Sequence, residues 1–177
     1  MFPKLFGTDG FFLPTYGVLV AAGFLAALWL TGRLAQRSGL NPDKVTNLGV
    51  YVALAGLIGA KLFMFVVDFE YYRKNPSEIF TMATLQAGGV FYGGLLLALG
   101  VGSWLMRRDH LPPALTLDCF APGLALGHAL GRIGCFAAGC CWGTECHRPW
   151  AVTFRDPEAN RLTGVPLMVP LHPTQIY

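Results

Sequence analysis

Charges in this chain come in clusters, and long apolar runs separate the clusters. From Gly10 to Gly32 there are 23 residues without a formal charge, and Arg33 and Arg37 close the run. A helix rises 1.5 Å per residue, so about 20 apolar residues cross the roughly 30 Å hydrocarbon layer. The pattern predicts a first span over 11–32, with Pro14 suited to its first turn. Ser38-Gly39 and Asn41-Pro42 then break the chain, and Asn41 or Asp43 can cap the next helix. A second span is predicted over 45–67, interrupted by Lys61 alone, and Asp68 to Glu78 is a polar connector. The uncharged run from Ile79 to Met106 is 28 residues, longer than one span needs. It contains the pairs Gly88-Gly89 and Gly93-Gly94, so 79–87 reads as interfacial or re-entrant and 90–106 as the third span. Arg107 to His110 end that span, and Pro112-Pro113 stop the helix. Residues 114–139 form a fourth span. Residues 140–171 are polar, with Pro149, Pro157, Pro166 and Pro170 and a β-like run at 150–154, and read as a small extramembrane cap. Residues 172–177 read as the start of a further helix.

The expected fold is an all-α integral membrane protein. It is a single membrane domain over 1–177, a polytopic helix bundle with re-entrant, Gly-rich segments and the small cap. Composition supports this: only 13% of residues are charged and 54% are hydrophobic, where soluble domains carry about a quarter charged. The first apolar run lacks the basic start and cleavage site of a signal peptide, so a retained helix is expected. A net charge of +3, scattered along the chain, does not suggest a nucleic-acid partner. Its distribution does suggest an orientation. Arg33, Arg37, Lys44, Arg107 and Arg108 follow spans one and three, against Lys4, Arg73 and Lys74 on the other side. The basic-inside bias therefore puts the N-terminus and the cap outside.

The fourth span carries the most conspicuous chemistry. Arg132 has 13 residues without a formal charge before it, back to Asp118, and 12 after it, up to Glu145. An arginine at such depth costs several kcal/mol unless it meets a partner or polar cavity, so it marks a functional site. Its guanidinium can grip a phosphate with two parallel hydrogen bonds. Gly127, Gly131, Gly134 and Gly139 permit close approach of a backbone or ligand. His128 lies one helical turn away, on the same face, and is a candidate base. Asp118 is about 21 Å from Arg132 along one helix, too far to pair with it there, and is expected to fix helix packing. Cys135, Cys140, Cys141 and Cys146 with His147 lack the usual spacing of a structural zinc site. Simple packing or one disulfide involving Cys146 is expected, with no metal and no cofactor.

Several short motifs, in order along nearly the whole chain, give a family resemblance. They are Tyr16-Gly17; Gly59-Ala60-Lys61-Leu62; Gly88-Gly89-Val90-Phe91-Tyr92-Gly93-Gly94; Gly131-Arg132-x-Gly134-x-Phe136 followed by Trp142-Gly143; and His172-Pro-Thr-Gln-Ile-Tyr177. Together they resemble the prolipoprotein diacylglyceryl transferases of the bacterial inner membrane. The resemblance implies a multi-pass enzyme with a periplasmic N-terminus. Such an enzyme moves the diacylglyceryl group of phosphatidylglycerol to the lipobox cysteine of a prolipoprotein, releasing glycerol phosphate. Its implied partners are phosphatidylglycerol, prolipoprotein signal peptides and membrane lipid. The implied catalytic residues are Arg132 and, at the position where histidine is usual, Tyr92; His128 joins them as a candidate base by its place one turn from Arg132. Arg132, Lys61, Tyr16, Gly93, Gly94, Gln175 and His172 are the implied substrate contacts. Three positions depart from the family pattern: Lys61 stands where arginine is usual, Tyr92 where histidine is usual, and Cys135 where asparagine is common. A non-catalytic lipid-binding relative and a small anion transporter or channel are the alternatives. The family normally continues through further membrane helices, so a fragment is expected.

Overall fold

The computed structural model describes residues 4–8, 11–81, 84 and 89–177. Helix dominates it. Strands β1 (Lys4–Thr8) and β2 (Phe11–Pro14) precede α1 (Thr15–Arg37) and α2 (Pro42–Val67). Then come the short α3 (Phe69–Lys74), a 3-10 turn (Pro76–Phe80), α4 (Phe91–Arg108) and α5 (Pro113–Ala138). Strand β3 (Val152–Thr153), α6 (Pro157–Thr163) and β4 (Pro170–Leu171) complete the order. Helices α1 and α2 are long and apolar enough to cross a membrane.

The helical class agrees with the sequence reading, with one local correction. Residues 11–14 are a strand antiparallel to β1, with Thr8 opposite Phe11 and Lys4 opposite Pro14. The first helix therefore begins at Thr15, and Pro14 precedes it rather than sitting in its first turn. Consecutive bulky apolar residues suit a strand as well as a span, and here they pair with β1. Most of the predicted re-entrant stretch 79–87, and Gly88, lie outside the described residues.

The chain divides into two compact units, residues 1–31 with 120–177 and residues 32–119. In the second unit, Asn41 caps α2: its side chain accepts from the backbone N–H groups of Asp43 and Lys44. This settles which of the two cap candidates is used. Lys44 Nζ donates to the carbonyl of Asp109 at 3.3 Å, and the Cys119 thiol lies 3.7 Å from Ser38 Oγ. These contacts gather the loops after α1 and α4 at one end of the unit. Further along, α2 and α4 cross at backbone contact. A Cβ on Gly93 would stand 2.1 Å from Phe63 Cβ and 2.6 Å from the Gly59 carbonyl, and one on Gly94 would stand 2.7 Å from the Gly56 carbonyl. Only glycine permits this approach, as in small-residue helix contacts of membrane proteins.

The first unit holds a second crossing of the same kind, between α1 and α5. A Cβ on Gly123 would stand 2.3 Å from Thr31 Oγ1, and one on Gly23 would stand 3.0 Å from the Gly127 carbonyl. Beyond α5, Phe154, Ala159, Val165 and Leu171 form a buried apolar cluster, with Trp142, Val152 and Val169 packed against it. Strand β3 pairs with β4 beside this cluster, and Asp156 caps α6 through the Glu158 N–H. Residues 140–171 thus have a core of their own.

Candidate functional site

The site is built where α5 ends. Gly139 has φ +78°, and the chain reverses there through two hydrogen bonds, Cys140 N–H to Cys135 O at 3.0 Å and Gly139 N–H to Phe136 O at 3.2 Å. This is a Schellman ending, in which a left-handed residue just past the helix lets the chain satisfy the last carbonyls. The backbone at 140–144 then pairs with the segment 172–175. Gly143 N–H donates to His172 O and His172 N–H to Thr144 O, both at 3.0 Å. A Cβ on Gly143 would stand 2.7 Å from Thr174 Cγ2 and 2.8 Å from His172 Cβ. The Trp142-Gly143 motif is therefore the place where the His172 segment comes close.

Arg132 fastens this segment to the helix. Its Nε donates to the Gln175 carbonyl at 3.1 Å, and its Nη2 donates to the Thr174 carbonyl. Thr174 Oγ1 donates to Cys141 O at 2.6 Å, and Gln175 Nε2 donates to Cys140 O at 2.8 Å. Gln175 is buried, and its Oε1 has no hydrogen-bond partner among the described residues. A buried acceptor left unpaired costs about 1–3 kcal/mol, so a ligand that donates there would recover that energy. His172 Nδ1 lies 2.9 Å from Tyr177 Oη, which orients the ring. His172 also lines an open apolar hollow of about 520 Å³ with Trp150, Val152, Pro173, Ile176 and Tyr177.

Two other predicted residues share this unit. Tyr16 packs against Gly134, where a Cβ would stand 3.3 Å from the tyrosine ring. His128 is exposed on α5, four residues before Arg132 and so on the same helix face. Gly131 has open space where its Cβ would be, unlike Gly127 and Gly134. Two of the five guanidinium donors of Arg132 go to carbonyls among the described residues.

The remaining predicted residues belong to the other unit. Lys61 Nζ donates to the Thr84 carbonyl at 2.5 Å. Val90 N–H donates to Ala60 O at 3.0 Å, and Gly89 takes φ +77° with its α-carbon against Ala60. Tyr92 is 69% exposed, whereas Gly93 and Gly94 are buried in the α2 crossing. Helix packing therefore accounts for both glycines without a ligand.

The sequence reading passed over Thr174, whose carbonyl and hydroxyl both serve the site. It did group Cys135, Cys140 and Cys141 with Cys146 and His147, but set a metal site aside on spacing alone. The sulfurs of Cys135, Cys140 and Cys141 lie within 4.8 Å of one another. Burial pushes the Cys140 thiol up to about 12, helped by the neighbouring Cys135. All five cysteines are free. Cys146, expected in packing or in a disulfide, is buried and accepts the Arg148 N–H at 3.4 Å.

Comparison with known proteins agrees with the motifs. The model of the prolipoprotein diacylglyceryl transferase family matches residues 3–177. A phosphatidylglycerol–prolipoprotein diacylglyceryl transferase of Clostridium tetani is 33% identical over 177 residues, covering 100% of this chain and 68% of that protein. One of Dehalococcoides mccartyi is 29% identical, covering 99% of this chain and 65% of that protein. One of Nitratidesulfovibrio vulgaris is 36% identical over 169 residues, covering 92% and 59%. The chain thus spans about two thirds of the length of the curated relatives it matches.

Proposed function

This chain belongs to the prolipoprotein diacylglyceryl transferase family, and from that premise we propose that it transfers the diacylglyceryl group of phosphatidylglycerol to the lipobox cysteine of a prolipoprotein. In this step the bond between the diacylglyceryl carbon and the phosphate oxygen breaks, and a thioether forms at the incoming sulfur. Glycerol phosphate leaves, and the thiol proton passes to a base.

The observation that carries the reading is Arg132. It stands on α5, more than a dozen residues along the chain from the nearest formal charge, and already grips the backbone of Thr174 and Gln175. That grip fixes its guanidinium, so its other N–H donors are preorganised for the charge that develops on the departing phosphate. Gln175 Oε1, buried and unpaired among the described residues, suits a hydroxyl of the glycerol headgroup. Tyr16 and the hollow beside His172 suit the apolar part of the lipid and of the signal peptide. For the proton we propose an imidazole of this unit, His128 by its place one turn from Arg132, or His172 with its ring set by Tyr177. In the other unit, Lys61 and Tyr92 are proposed for lipid contacts in their own right. Neither Cys140 nor Cys141 serves as the acceptor, because the thiol that becomes lipidated belongs to the substrate.

The same reading includes four membrane spans in a bacterial inner membrane, with the N-terminus and residues 140–171 on the periplasmic side. The basic residues near Arg37 and Arg107 support that orientation. Impermeant thiol labelling in intact cells tests it: a cysteine placed at 160 should react, and one placed at 37 should not.

The activity is tested with purified protein in phosphatidylglycerol liposomes and a lipobox peptide. Transfer to the peptide cysteine and release of glycerol phosphate should appear together. Liposomes in which the only diacylglycerol lipid is uncharged should give neither. Lipid binding without transfer would leave the non-catalytic relative as the correct reading.

A further inference from the structure

We infer that Cys135, Cys140 and Cys141 form a binding site for one soft metal cation, best matched by Cu(I), at the turn that closes α5. The inference stands apart from the transferase reading and would survive its failure.

Geometry is the first argument. Three sulfurs held about 2.3 Å from a common ion stand roughly 3.7–4.0 Å from one another. Here all three lie within 4.8 Å of one another, and the Cys140 and Cys141 sulfurs are 3.8 Å apart. Side-chain shifts of less than about an ångström would close the triangle.

The backbone supplies the second argument. In a Schellman ending, the residue two past the helix comes back against the residue three before its cap. Here those residues are Cys140 and Cys135, joined by the Cys140 N–H to Cys135 O bond. Cys141 then takes φ +60°, a left-handed conformation that a non-glycine residue adopts at a cost. Such strain persists where surrounding contacts fix it. The contacts that fix it are on hand: Thr174 Oγ1 holds the Cys141 carbonyl and Gln175 Nε2 holds the Cys140 carbonyl. The backbone beneath the three side chains is thus set by hydrogen bonds to other groups, and the Cys141 thiol also donates to the Cys140 sulfur.

Donor chemistry selects the ion. An all-thiolate set favours soft cations over Mg²⁺ or Ca²⁺. Three sulfurs with no fourth protein ligand grouped with them among the described residues suit a three-coordinate ion better than the four-coordinate structural site of zinc. Binding exchanges thiol protons for the metal, with the protons leaving to solvent and no change in oxidation state. Arg132, one turn before Cys135, places a positive charge beside the negative charge that the sulfurs take on when their protons leave. Cys141 is exposed, which gives the ion a way in. A bound ion would clamp 140–141, the residues whose carbonyls position Thr174 and Gln175, and so would stiffen the candidate site.

The test is a titration of the reduced full chain in detergent with Cu(I), against a chromophoric Cu(I) chelator. One equivalent should be retained, and X-ray absorption should show three sulfur neighbours. Cys135→Ser, Cys140→Ser and Cys141→Ser should each weaken retention at least tenfold, while Cys119→Ser and Cys146→Ser should not. Thermal unfolding without copper identifies variants that fold normally, and only those are compared. Should all three site variants misfold, the sulfur count in the unmodified protein decides alone. Retention of no copper would overturn the inference. So would retention undiminished in the folded site variants, two or fewer sulfur neighbours, or a preference for Zn(II) over Cu(I).

Discussion

Arg132 and Lys61 make an instructive pair, one in each unit. Each is a cation on an apolar helix with glycines around it. Each donates to a backbone carbonyl of a segment that comes much later in the chain, Arg132 to Thr174 and Gln175 and Lys61 to Thr84. The difference lies in the head group. A guanidinium has five donors in a rigid fork, so it can hold two consecutive carbonyls and still offer N–H groups to an anion. An ammonium is a point charge with three donors on a flexible stem. The same local arrangement thus leaves a forked donor set beside one tie and a single ammonium at the other, so the larger share of the proposed phosphate binding falls to Arg132.

Removing the two cations should separate their roles most sharply. Arg132→Ala should lower transfer by about 10²–10³, the loss seen when a charge-stabilising donor is deleted, about 3–4 kcal/mol. Lys61→Ala should lower it by only about tenfold, the size of one ordinary hydrogen bond. Equal losses in a liposome transfer assay would mean that both cations serve the chemistry.

The glycine crossings allow a second contrast. Gly93→Leu drives side-chain atoms into Phe63 and the Gly59 carbonyl. It should destabilise the protein by more than about 3 kcal/mol, beyond ordinary overpacking, and show as lost monodisperse protein. Gly131→Ala meets nothing within 4 Å. It should instead gain up to about 0.8 kcal/mol from helix propensity. Loss of folded protein in Gly131→Ala would show that its open space is needed.

Swapping the head groups gives a smaller effect. Arg132→Lys can serve one of the two carbonyls well but not both, and should cost about 1–2 kcal/mol of thermal stability. Lys61→Arg should be nearly neutral. A gain of similar small size belongs to His110, which takes φ +54° just past α4, with Leu111 N–H donating back to Met106 O. That is the position glycine takes after α1 and α5, at Gly39 and Gly139. His110→Gly should raise stability by about 0.5–1 kcal/mol. Thermal unfolding in detergent measures both.

Helix positions were legible because apolar runs and polar breaks are local. The cap of α2 was narrowed to Asn41 or Asp43 around one proline, and Arg132 stood out by its distance along the chain from other charges. What escaped was set by contacts distant in sequence. Nothing near Arg132 announces that it reaches the carbonyls of residues 174 and 175, or near Lys61 that it reaches the carbonyl of residue 84. The strand at 11–14 was hidden because Phe11, Phe12 and Leu13 continue the apolar run of α1 without a break. The closeness of the three thiols was not legible from their spacing for a geometric reason. Zinc-type spacing rules describe ligands on a short loop, whereas Cys135 and Cys140 meet across the end of a helix. Gly139, with cysteines four before it and one after it, was the available clue.

The buried cluster of Phe154, Ala159, Val165 and Leu171 has a thermal consequence. With residues 140–171 outside the bilayer, as proposed, that cluster is held together by expulsion of water, a force that carries a large heat-capacity change and weakens on cooling. With the crossing helices in lipid, as also proposed, the glycine contacts rest on close packing instead and lack that driving force. Chilling should therefore loosen the region that carries Thr174 and Gln175 before it loosens the spans, and catalytic competence should fade in the cold while the helices stay folded.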